Sequence, residues 1–191
     1  MFIRMSSFFL IFFILIGCAN DARSPHEITV YNADGDSLGT ATLSEQPDGV
    51  QIELKLAGLP PGMHGIHIHE FPKCDGPEFK SAGNHFNPDS KLHGLMHPEG
   101  SHLGDLPNVE VADDGKLETE VMVPEATLKD DKNSLLKSGT SLVITEGQDD
   151  GMTQPAGNAG VRIACGVISL DKETSSSPPS NPAEDGPPKD E

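Results

Sequence analysis

The chain has 191 residues and a formal net charge of −17. That length suits one domain with a real core plus terminal segments. The acidic excess argues against nucleic acid, whose phosphates would be repelled. Tryptophan is absent, and 20 Gly with 16 Pro favour many turns over long helices.

In chain order, one basic residue, Arg4, precedes an apolar run from Phe8 to Ile16. The run is short for a membrane span and fits the core of a signal peptide. It ends in L-I-G-C, which resembles a bacterial lipobox. On that reading residues 1–17 are removed, Cys18 carries lipid, and the mature chain sits on the outer face of a bacterial cell membrane. An ordinary secretory signal with an incidental cysteine is the alternative. Residues 18–26, with His26, read as a tether. The domain proper is expected over 27–171.

Within it, V-Q-I-E-L-K-L (50–56) alternates apolar and polar residues, as a half-buried strand does. L-E-T-E-V-M-V (117–123) and T-S-L-V-I-T-E (140–146) also read as strands. Turn signals lie at 33–36, 47–49, 58–62 and 113–115. A brief helical turn is expected within 123–129. Short strands at regular spacing predict an all-β sandwich or barrel. Two segments, 71–108 and 147–158, read as long loops, which are uncommon unless functional or disordered. The Ser-, Pro- and acid-rich residues 172–191 cannot bury a core and read as a disordered tail.

The histidines carry the chemistry. G-I-H-I-H-E places His67 and His69 on one face of a strand, with Ile66 and Ile68 opposite. Such a pair binds a metal or faces solvent. The first loop adds His85, His93, His102 and Asp105, a set that zinc accepts. Zinc would also order a loop short of apolar residues. A solvated His-rich loop is the alternative. Three cysteines are present. With lipid on Cys18, Cys74 and Cys165 remain as a disulfide of an oxidising compartment or as two buried thiols.

Several segments together resemble the copper/zinc superoxide dismutase family over about 27–170. They are G-I-H-I-H-E-F, Cys74, S-A-G-N-H-F-N-P, H-G, H-L-G-D-L-P-N-V with A-D-D-G, and G-N-A-G-V-R-I-A-C-G. The resemblance implies a Greek-key β-barrel or sandwich with two long functional loops. It implies copper on His67, His69 and His85, and zinc on His85, His93, His102 and Asp105. His85 would bridge the two ions and take part in catalysis. Arg162 would guide superoxide, Asp149 would link a copper histidine to a zinc histidine, and Cys74 would pair with Cys165. His64 would pack inside the barrel, and His97 would be solvated.

One position departs from the pattern. Where the family has a further copper histidine, this chain has Thr145, followed in register by Glu146, Asp149 and Asp150. A hydroxyl is a poor copper ligand. The expected activity is conversion of superoxide to oxygen and hydrogen peroxide, impaired at that position. The alternative is a non-catalytic, zinc-stabilised surface lipoprotein or a copper-binding relative.

Overall fold

In a computed structural model, residues 24–171 are described. The proposed leader, Cys18, most of the tether and the tail lie outside those residues.

Alternation dictates the sheet. In β3 (Gly49–Ala57), Val50, Ile52, Leu54 and Leu56 point inward, while Gln51, Glu53 and Lys55 point outward. The strand pairs along its length with β2 (Ser37–Gln46) and β7 (Lys116–Pro124). β1 (His26–Asn32), β8 (Thr140–Thr145), β9 (Arg162–Ile168) and β5 (Ile66–His69) complete a seven-stranded antiparallel sheet. Its order is β5-β8-β9-β1-β2-β3-β7. The chain crosses between the two ends of this sheet after β3 and again after β7, which gives the Greek-key connectivity. A ribbon of β4 (Gly62–His64) and β6 (Val109–Val111) joins those ends, because β4 runs into β5 and β6 turns into β7. The sheet is thereby curled around one core that includes Val30, Leu43, Ile52, Leu54, Ile66, Ile68, Leu142 and Ile144. This is the all-β fold expected.

Two local expectations need correction. Residues 123–129 hold no helical turn. β7 continues to Pro124, and Glu125 then takes φ 63°, its N–H donating to the Asp48 carbonyl at 3.0 Å. A left-handed residue there ends the strand in a turn. His26 is not in a tether but opens β1 opposite Leu43.

The first loop also differs from expectation. Its initial part carries a small core of its own, with Cys74, Phe79 and Ala82 packed on Val143, Cys165 and Val167 from the outer face of β8 and β9. Phe79 is completely buried. Apolar burial and the Cys74–Cys165 disulfide, with Cα atoms 5.7 Å apart, hold this part. Among the described residues the only helical element is a 3-10 turn here, Lys80–Ala82.

Candidate metal centre

β5 is buried on both faces. Ile66 and Ile68 enter the barrel core, while His67 and His69 face outward beneath the loops, 1% and 2% exposed. The pair is therefore on one face, as the spacing required, but that face is not solvated. The loop returns along the free edge of β5 like another strand. The Ile68 N–H donates to the Gly104 carbonyl at 2.9 Å, and the Phe86 N–H donates to the Ile68 carbonyl at 2.8 Å. These bonds set His85 opposite His69 and Asp105 opposite His67. The approach needs glycine at 104, because a Cβ there would lie 2.2 Å from the Ile68 oxygen.

Two donor clusters result. Within each, the candidate ligand atoms lie within 4.8 Å of one another, and His85 belongs to both. In the first, Asp105 Oδ1 lies 2.8, 3.0 and 3.2 Å from the Nδ1 atoms of His85, His93 and His102. Ligands at 2.0–2.2 Å around a tetrahedral ion stand about 3.3–3.6 Å apart. A small dilation would therefore admit zinc in place of the Nδ1 protons. The second carboxylate oxygen of Asp105 accepts the N–H groups of Gly94 and His102 at 2.8 and 3.0 Å. Burial raises the Asp105 pKa, but the hydrogen bonds from His102, His85 and Gly94 outweigh it and hold the carboxyl well below its usual range.

The second cluster is His67, His69 and His85. His67 Nε2 donates to Asp149 Oδ2 at 2.6 Å, and His69 Nδ1 donates to the Gly83 carbonyl at 3.0 Å. Those bonds leave His67 Nδ1 and His69 Nε2 buried without a hydrogen-bond partner. Orphaned buried nitrogens call for an explanation, and a bound metal ion would supply one. Burial, then the nearby His85 and Arg162 charges, lower the His69 pKa to about 2. His85 falls to about 4, burial outweighing its hydrogen bond to Asp105. Both rings are neutral at pH 7, the state that binds metal.

Asp149 joins the clusters. One carboxylate oxygen meets His67, and the other lies 3.1 Å from His93 Nε2. Burial raises its pKa, but the bonds from His67, Gly151 and His93 outweigh it and lower the pKa overall. Arg162 donates to the carbonyls of Phe79 at 2.7 Å and Gly83 at 2.8 Å. It thus shares the Gly83 oxygen with His69, which places its charge on the side of the second cluster. Burial lowers its pKa.

Thr145 ends β8 close by. Its hydroxyl lies 3.2 Å from the Gly65 carbonyl and 3.1 Å from the Gly147 carbonyl. The hydroxyl is committed to backbone. A Cβ at residue 65 would lie 2.6 Å from this oxygen and 3.1 Å from His67 Cε1. His64 is buried between the carbonyls of Thr145 and Pro60, and half-buried His97 accepts the Glu99 N–H on Nδ1 outside both clusters. Sequence reasoning missed Asn108. Its side-chain amide pairs with the backbone of Asp149, both bonds 2.8 Å. It lies inside the D-L-P-N-V segment, so only its role was unread.

Known proteins share this fold. The sequence profile of the family described as copper/zinc superoxide dismutase (SODC) matches residues 37–168. A copper/zinc superoxide dismutase of Aquifex aeolicus is 51% identical over 142 residues, covering 73% of this chain and 84% of that protein. The crystal structure of a superoxide dismutase-like protein from Bacillus subtilis superposes with a TM-score of 0.73 at 39% identity, covering 75% of this chain and 97% of that one. The copper/zinc superoxide dismutase of Brucella abortus gives 0.65 at 32% identity, covering 76% and 99%. With the barrel, both histidine clusters and the match over most of the domain in agreement, the chain belongs to the copper/zinc superoxide dismutase family.

Proposed function

We propose that the protein converts superoxide to oxygen and hydrogen peroxide outside the cytoplasm. Zinc would be held by His85, His93, His102 and Asp105, and copper by His67 Nδ1, His69 Nε2 and His85 Nε2. The observation that carries this reading is the pair of buried, partnerless nitrogens on His67 and His69, converging with His85. Bound copper supplies one-electron exchange with superoxide in both directions. The chain does the rest. Arg162 offers a fixed positive charge to the incoming anion in a protein of net charge −17. Asp149 and the Gly83 carbonyl fix the rings of His67 and His69. Asp105 fixes His85, whose Nε2, when not holding copper, could carry a proton for the peroxide product.

Thr145 takes the place where the family carries another copper histidine. Its hydroxyl serves the Gly65 and Gly147 carbonyls, so three imidazoles remain. Three suit copper(I), whereas copper(II) prefers a tetragonal set. Weaker copper binding and slower turnover are expected. Export supports the same reading: the Cys74–Cys165 bond belongs to an oxidising compartment. Residues 1–17 would be the signal, Cys18 the lipidated anchor, and 172–191 an acidic tail.

The test is superoxide decay with copper- and zinc-loaded protein, free copper removed, against Thr145→His. Catalysis by the natural protein, raised in the variant, is expected. No catalysis by either would refute the assignment. Recovery only in the variant would mark a relative that keeps its zinc framework without the redox reaction.

A further inference from the structure

The second long loop touches the zinc-side ligands through more than Asp149. Gln154 stands in that loop, and its side-chain amide pairs with the backbone of His93. Its Oε1 accepts the His93 N–H at 2.9 Å, and its Nε2 donates to the His93 carbonyl at 2.8 Å. The same Nε2 donates to the Met152 carbonyl at 3.2 Å. One side chain thus does for His93 what a neighbouring strand would do.

His93 needs such support. It lies in a stretch of the first loop with few apolar anchors: Leu92, Leu95 and Met96 are 42%, 51% and 66% exposed. The His93 ring is fully buried, with Nδ1 on Asp105 and Nε2 on Asp149. All four polar atoms of the residue are therefore satisfied, two by carboxylates and two by Gln154. The carboxylates aim the ring, and Gln154 fixes the backbone from which it projects. A neighbouring contact, the Met96 N–H to the Gly151 carbonyl at 3.2 Å, ties the same two loops together.

We propose that Gln154 is a positioning residue for the zinc ligand His93, and that it couples zinc binding on the first loop to closure of the second. The inference rests on the zinc assignment proposed above. Coupling of this kind is reciprocal. If bound zinc fixes His93, it also favours the closed second loop that carries Asp149 and leads into Arg162. If the amide is lost, zinc loses affinity by the same factor. The chemistry requires an amide at 154. Glu would turn a second acceptor toward the His93 carbonyl, and Leu would offer neither group.

The experiment uses the full chain, zinc as the probe, and the variants Gln154→Leu and Gln154→Glu. Zinc affinity is measured by competition with a chelator, thermal stability with and without zinc, and amide hydrogen exchange over 147–158. The natural protein should bind zinc and show slower exchange in that loop when it does. Both variants should bind zinc about 10- to 100-fold more weakly, change little in zinc-free melting, and lose the zinc-dependent protection. Undiminished affinity with full protection in both variants would overturn the inference alone. Equal loss of stability with and without zinc would also overturn it, leaving Gln154 a loop staple. No zinc binding by the natural protein would overturn the zinc assignment and this inference with it.

Discussion

The double variant Cys74→Ser/Cys165→Ser should show how much of the first loop is held by the cross-link. The two cysteines stand 91 positions apart. Closing a loop of that length removes unfolded-chain entropy equivalent to about 4.6 kcal/mol at 25 °C. With a urea m-value of about 2 kcal/mol/M, the unfolding midpoint should fall by about 2 M. The measurement is urea unfolding of metal-free protein followed by circular dichroism, which keeps metal linkage out of the comparison. A second effect should accompany the first. Cys74 anchors the segment whose Phe79 and Gly83 carbonyls hold Arg162, and Cys165 lies three residues beyond Arg162 in β9. Freeing the segment should therefore let the guanidinium move and should slow superoxide decay in metal-loaded protein. A midpoint shift below about 0.5 M would show that apolar packing around Phe79 already restrains the chain and that the entropic reasoning fails.

Two further outcomes follow from single side chains. Asp149→Asn keeps at most one acceptor for the two imidazoles now bonded to the carboxylate, so zinc and copper should each bind about 10- to 100-fold more weakly. Isothermal titration yielding natural affinities for both metals would show that the bridge is dispensable. Glu45 ties β2 to the segment after β7, accepting from the Leu128 N–H at 2.6 Å and the Thr127 hydroxyl at 2.7 Å. Burial raises its pKa, but those bonds and Lys129 outweigh it and hold the carboxyl below 4.5 in the folded protein. A lowered folded-state pKa contributes stability that is present above the unfolded value and lost as pH falls through the folded value. The stability gap between the natural protein and Glu45→Gln should accordingly be widest above about pH 4.5 and narrow in acid. A gap independent of pH from 3 to 7 would remove Glu45 from the acid transition.

The strands marked by alternation, β3 and β7, or by a β-branched run, β8, were legible without coordinates and lie within a residue or so of the spans read from sequence. β2 was not, because in S-L-G-T-A-T-L-S-E-Q the inward residues Leu38, Ala41 and Leu43 do not alternate strictly, and their placement is decided by pairing with β1 and β3. β6 is only three residues long and exists through its pairing with β4. The residues that cluster, His67, His69, His85, His93, His102 and Asp105, were legible because imidazole is uncommon enough for its grouping to be informative. The groups that aim them were not. Asn108 and Gln154 act by matching an amide to another residue's backbone, and Gly83 acts through a carbonyl that every residue possesses. Such roles depend on how two loops approach each other, and composition carries no trace of that approach. The small core beneath the first loop was missed for the same reason. Phe79 is a single aromatic in a polar stretch until Val143 and Val167 are set under it.

The two halves of the first loop rest on different physics, and this bears on Thr145. The half around Cys74–Ala82 is held by apolar burial, the disulfide and Arg162. The half around His93 directs imidazoles and a carboxylate inward while its leucines and Met96 face solvent. Leaving those buried polar groups unpaired would cost about 1–3 kcal/mol each. Asp105 meets three imidazoles to avoid that cost, and a zinc ion would take over the same positions. On the proposed zinc assignment, metal affinity would be folding energy for this half. The copper side is built differently. His67 and His69 project from β5, which β8 and the barrel core fix in any case. Thr145 ends β8, and its hydroxyl is satisfied by the Gly65 and Gly147 carbonyls. A threonine there leaves its own hydroxyl bonded and no element unsupported. A ligand lost from the zinc side would disorder the loop that carries it. On the proposed reading, a ligand absent at 145 would change only what the copper site can hold, and the fold would tolerate it.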